Sequence, residues 1–125
     1  MDIEAYGTTH ADSFEDKIHC TRNLTMEEID EGYEMNTGKV IVETFEKYHN
    51  DILLNPAVLA KSHGLFTFGK SGMDAVNNAV ITEQVSEMAF YTQMVSKEPI
   101  AKELFKKHNE RKHGDNAYYG QKGDH

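Results

Sequence analysis

The chain has 125 residues, a 38% hydrophobic fraction and a 27% charged fraction, with 13 Lys and Arg against 21 Asp and Glu. That length fits one domain, or part of a larger one. The net charge of -8 argues against a nucleic-acid or anionic-membrane partner, because phosphate binding requires clustered cations. One Cys excludes an internal disulfide and fits a reducing compartment. No apolar run approaches the length of a membrane span, and Met1-Asp2-Ile3-Glu4 is no signal peptide, so the expected address is the cytoplasm.

In chain order, residues 1 to 24 read as irregular, with Gly7 among several Thr, His and Asp residues. Thr25-Met26-Glu27-Glu28 is a capping-box pattern that opens a short acidic helix. Gly32, then Asn36-Thr37-Gly38, end or interrupt that helix. Lys39 to Tyr48 is ambiguous: Val40, Ile41 and Val42 favour a strand, whereas Ile41, Phe45 and Tyr48 share one helical stripe. Helix is the better reading, since Glu43, Glu46 and Lys47 then take the opposite face.

Pro56 stops the preceding element, and Ala57 to Ala60 reads as a short buried strand. It runs into Ser62-His63-Gly64, and Leu65 to Phe68 reads as a second strand after a tight turn. Ser71-Gly72-Met73-Asp74 caps the longest helix, from about Gly72 to Val95. Met73, Val76, Val80, Gln84, Met88 and Tyr91 trace one face of it, expected to be core. After Pro99 a last helix runs from about Ile100 to Lys112, with Gly114 as its C-cap. Short strands among long amphipathic helices imply a layered α/β domain.

Three polar segments could carry chemistry. His63 sits at the turn of the strand pair, where Gly64 removes bulk and Ser62 offers a hydroxyl. A neutral imidazole there can bind Zn²⁺, although a lone His is ordinarily just a hydrogen-bonded residue. Asp12 follows His10 by two residues, which on an extended segment puts both on one side; the plain alternative is an Asp that caps a turn beside Ser13. The tail from Arg111 to Gln121 is aromatic and amide-rich but poor in aliphatics, and Tyr119 within it could donate a proton only beside a metal or cation. His49, His113 and His125 read as ordinary hydrogen-bonded residues, and Cys20 as a structural thiol.

Together these segments resemble a family. Gly7-Thr8-Thr9-His10-Ala11-Asp12, Cys20-Thr21-Arg22, Thr37-Gly38-Lys39-Val40-Ile41-Val42-Glu43-Thr44, Ser62-His63-Gly64, Ala75-Val76-Asn77-Asn78-Ala79 and Arg111 to Gln121 stand in the order found in L-ribulose-5-phosphate 4-epimerases, of the class II aldolase superfamily. The resemblance spans nearly the whole chain and matches the C-terminal half of such a domain. It implies a partial three-layer α/β/α sandwich, with a central, mostly antiparallel sheet flanked by helices. It further implies that residues 1 to 125 form a single partial domain.

The activity implied is interconversion of L-ribulose 5-phosphate and D-xylulose 5-phosphate, in arabinose or ascorbate catabolism, by retro-aldol cleavage and re-addition. Family members bind a divalent metal, usually Zn²⁺, through three His residues, of which the third corresponds to His63. Asp12 and Tyr119 correspond to the proton carriers, and the Tyr reaches in from a neighbouring subunit of a homo-oligomer, a tetramer in the family. His108 and Arg111 match positions near that interface, where they support substrate contact. In the family the other two His ligands and the phosphate loops lie upstream of the matched portion. The expectation is therefore a chain that needs an N-terminal half in trans; the alternatives are a non-catalytic remnant or assembly subunit, or a related class II sugar-phosphate aldolase.

Overall fold

The computed structural model describes residues 1–113. In order, these form α1 (Thr8–Ser13), α2 (Met26–Lys47), β1 (Ala57–Ala60), β2 (Gly64–Thr67), α3 (Gly72–Thr92) and α4 (Lys102–His113). The two strands pair antiparallel, with Ala57 opposite Thr67 and Ala60 opposite Gly64. Single bridges widen this pairing. Thr21 N–H donates to the Leu59 carbonyl at 2.8 Å and Leu59 N–H to that of His19 at 2.9 Å, in parallel sense. Ile3 and Ile18 then exchange antiparallel bonds of 2.8 and 3.0 Å. The result is a mixed α/β arrangement in which α2 and α3 both contact the strand pair.

Phe14, Ile18, Ala57 and Val85 form the core, with Ile3, Leu59 and Ile81 packed against them. One side of the core is stitched by Asn55, which is only 1% exposed. Its Oδ1 accepts from Asp16 N–H at 3.1 Å while its Nδ2 donates to the Lys17 carbonyl at 3.1 Å, so a buried amide stays satisfied. His19 is buried beside it, with both ring nitrogens 2.9 Å from carboxylate oxygens of Asp2 and Asp16 and its face stacked on Tyr48.

The capping box is present as the sequence predicts: Thr25 Oγ1 accepts from Glu28 N–H at 3.1 Å, and Glu28 Oε1 accepts from Thr25 N–H at 2.8 Å. Gly32 interrupts α2, with non-helical angles φ 168° and ψ 81°, but Asn36-Thr37-Gly38 does not end it. Thr37 Oγ1 satisfies itself on the Tyr33 carbonyl, four residues back at 2.8 Å, so helix continues through the triplet. Lys39 to Lys47 is helical, burying Val40, Ile41 and Thr44.

Two expectations are corrected. The first segment is not irregular throughout, because Thr8–Ser13 is a helix. Six residues cannot hold a helix alone; α4 packs against it, and Asn109 Nδ2 donates to the Ala11 and Phe14 carbonyls at 3.2 and 2.9 Å. On α3 the buried face is Thr82, Val85 and Ala89, whereas Met73, Val76, Val80, Met88 and Tyr91 are exposed. Polar residues can face inward there because they bond locally. Thr82 Oγ1 donates to the Asn78 carbonyl at 2.6 Å, and Asn78 Nδ2 to that of Phe68 at 2.7 Å.

Candidate functional site

His63 closes the turn between β1 and β2. Its N–H donates to the Ala60 carbonyl at 2.9 Å, and Ser62 before it takes a left-handed backbone with φ 63°. A non-glycine residue there costs on the order of 1–3 kcal/mol. Gly64 follows with φ 155°, a conformation suited to glycine. The turn thus lifts an exposed imidazole out of the sheet end.

That imidazole borders a cleft of ≈ 290 Å³ between the turn, the 21–24 segment and α2. Tyr33 enters the cleft from α2, placing its Oη 2.8 Å from His63 Nδ1. Phe66 lies on the ring as well, with centroids 5.3 Å apart. Arg22 forms another wall, but its guanidinium is already engaged. Nη1 and Nη2 donate to the two Glu28 carboxylate oxygens at 2.8 and 3.0 Å, and Nε donates to Glu43 at 2.9 Å. The Arg22 fork holds the Glu28 carboxyl down at about 2 and raises its own pKa in turn. The pairs are exposed, so they fix geometry more than they add stability.

Asp12 lies on α1, not on an extended segment, so His10 and Asp12 point away from one another. His10 turns inward, 3% exposed, and its Nε2–H donates to the Asp16 carbonyl at 2.8 Å. Burial holds the ring below its ordinary pKa, against the pull of that carbonyl and the carboxylates of Glu4 and Asp16. Asp12 faces α4: its Oδ1 accepts from His108 Nδ1–H at 2.9 Å, and its backbone carbonyl from His113 Nε2–H at 2.6 Å. His108 and Asp12, 96 residues apart, therefore form a half-buried pair.

Among the described residues no hydrogen bond or ring contact joins Asp12 to His63; each has its own partners on different helices. Tyr119 lies outside the described residues, as does Gly114. As a cation ligand His63 suits the role, being exposed with one ring nitrogen engaged and, among the described residues, no hydrogen-bond partner on Nε2. No group of three His, Cys, Asp or Glu side chains able to hold a metal occurs among the described residues. Sequence reading missed Tyr33. A tyrosine one residue past the helix-breaking Gly32 was the available local signal, and it gives no hint of a partner 30 residues on.

Residues 1–90 match the family model of the class II aldolase and adducin N-terminal domain, and the chain belongs to that family. The blocks quoted from the sequence thus point to the right superfamily, and the α/β fold agrees with part of its domain. L-ribulose-5-phosphate 4-epimerase UlaF of Salmonella paratyphi C is 48% identical over 124 residues, covering 98% of this chain and 54% of the relative. The proteins of the same name from Salmonella choleraesuis and Salmonella typhi match over the same shares at 48% identity. The chain spans about half the length of these curated relatives. No helix among the described residues is long and apolar enough to cross a membrane.

Proposed function

We propose that the chain is the site-bearing part of a sugar-phosphate epimerase that interconverts L-ribulose 5-phosphate and D-xylulose 5-phosphate. The observation that carries this reading is the 48% identity to epimerases over nearly the full chain, with His63 standing exposed in a cleft. Carbon 4 of the substrate bears no acidic proton, so simple deprotonation cannot invert it. Cleavage between carbons 3 and 4, rotation of the aldehyde and re-addition can.

In this reading His63 contributes one nitrogen to a divalent cation, Zn²⁺ by preference, with further donors coming from outside the described residues. Such a cation, when bound, supplies Lewis-acid stabilisation of developing negative charge. Asp12 holds and moves the hydroxyl proton on one face of the aldehyde. Its carboxylate is suited to this because His108 anchors one oxygen and leaves the other to accept. Tyr119 serves the opposite face from a neighbouring copy of the chain, in a homo-oligomer. Asp12 and His63 are then brought to one substrate by assembly, in keeping with their separate partners within the chain.

The test is conversion of L-ribulose 5-phosphate with added Zn²⁺, by the chain alone and mixed with the portion of the Salmonella relative that the chain does not match. Turnover in the mixture that Asp12→Asn lowers by at least about a hundredfold is the expected result. No turnover in either arrangement overturns the reading and leaves a non-catalytic chain. Accumulation of glycolaldehyde phosphate without the epimer identifies an aldolase instead.

A further inference from the structure

We infer that Tyr33 is a positioning residue for His63: its phenol oxygen accepts the Nδ1–H of the imidazole and so presents the lone pair of Nε2 to the cleft. The inference deepens the proposed function, since it concerns how the chain prepares His63 for a cation.

Three features aim Tyr33. The first is the break in α2 at Gly32, whose φ 168° and ψ 81° redirect the chain immediately before Tyr33. The second is Arg22, which ties Glu28 before the break to Glu43 after it and so fixes how the two parts of the helix stand. The third is Thr37, which holds the Tyr33 carbonyl at 2.8 Å through its hydroxyl. The Tyr33 ring then lies 6.0 Å from His63 at an interplanar angle of 30°, with Oη 2.8 Å from Nδ1. On the His63 side the ring is confined by Phe66 at 5.3 Å, and its backbone is held by the strained Ser62 turn.

The direction of the hydrogen bond decides the chemistry. If the phenol donates, Nε2 carries the proton and cannot ligate. If the phenol accepts, Nδ1 carries it and Nε2 is a ready donor to a cation, the arrangement by which a ligating His is fixed through its other nitrogen. Free imidazole side chains lean towards the Nε2–H form, so a shift to Nδ1–H is a specific signature of the Tyr33 contact and not of folding in general.

The experiment is nitrogen-15 NMR of the histidine rings in the full, metal-free chain, with the His63 signals assigned by their loss in His63→Gln. The expected result is a His63 ring protonated on Nδ1 in the wild type that reverts towards Nε2–H in Tyr33→Phe, which keeps the aromatic ring and removes only the hydroxyl. A wild-type ring protonated on Nε2, or the same tautomer in both proteins, overturns the inference. Where Tyr33→Phe does not fold by circular dichroism, the wild-type tautomer alone decides. Titration with Zn²⁺ in the presence of the portion of the Salmonella relative that the chain does not match separates this result from the broader reading: Tyr33→Phe is expected to weaken the Zn²⁺ response of the His63 signals by about tenfold to a hundredfold. A wild-type His63 that ignores Zn²⁺ while holding the Nδ1 proton contradicts the metal reading and leaves the Tyr33 contact standing.

Discussion

At His10 burial outweighs every neighbour that favours a positive ring, so the folded protein holds it neutral further into acid than the unfolded chain does. The sign of the stability effect follows. Above the unfolded pKa of about 6.5 the ring is neutral in both states, and the contribution is fully present. As pH falls below that value the unfolded chain takes the proton first, and stability declines until the lower folded pKa is reached. Asp16 acts further down the scale. Its burial pushes the carboxyl up, but hydrogen bonds from His19, Lys17 N–H and Asn50 together outweigh burial and hold it below the usual carboxylate range. Denaturant titrations at a series of pH values should therefore show stability falling from near pH 6.5 downwards, and the first part of that fall should flatten in His10→Gln. An unchanged profile in that variant would assign the acid sensitivity to other groups.

Among the elements, what could be read from sequence was what is locally encoded. The capping box at Thr25 and Glu28, the Gly32 interruption, the strand pair around His63 and the Ser71 cap all have both halves of their signal within a few residues. What could not be read depends on partners far along the chain. Helix α1 carries no apolar periodicity, and its last carbonyls are satisfied by Asn109, nearly a hundred residues on. The buried face of α3 carries the polar Thr82, with half-buried Asn78 beside it, because both side chains find backbone carbonyls, so apolar periodicity selects the wrong face. His63 stood out by its glycine neighbour, but Tyr33 was legible only in three dimensions. One close packing at this scale is testable. A Cβ on Gly69 would lie 2.6 Å from Ala75 N and from Asp74 Cβ, where β2 hands over to α3. Gly69→Ala should cost about 1–3 kcal/mol in chemical denaturation. A variant as stable as the parent would mean that the start of α3 can move aside.

For the molecule as a whole, the outward face of α3 sets the behaviour in solution. Met73, Val76, Val80, Met88 and Tyr91 are each at least 45% exposed along one helix, next to Phe90, Met94 and Val95. Apolar surface in that concentration drives association or covering by other polypeptide. Sedimentation of the chain at rising concentration should show association that Val80→Lys reduces, whereas a monomer at every concentration would contradict this. Such contact with other polypeptide fits a chain spanning about half the length of its relatives, in which His63 and Asp12 keep separate partners. The most direct measurement is turnover of L-ribulose 5-phosphate, with Zn²⁺ and the unmatched portion of the Salmonella relative present, by wild type and His63→Gln chains. Loss of at least about a thousandfold in the variant is predicted from the cation-ligand role proposed for His63, because losing that donor would disable the electrostatic stabilisation of the transition state. Equal rates in the two chains would contradict the account.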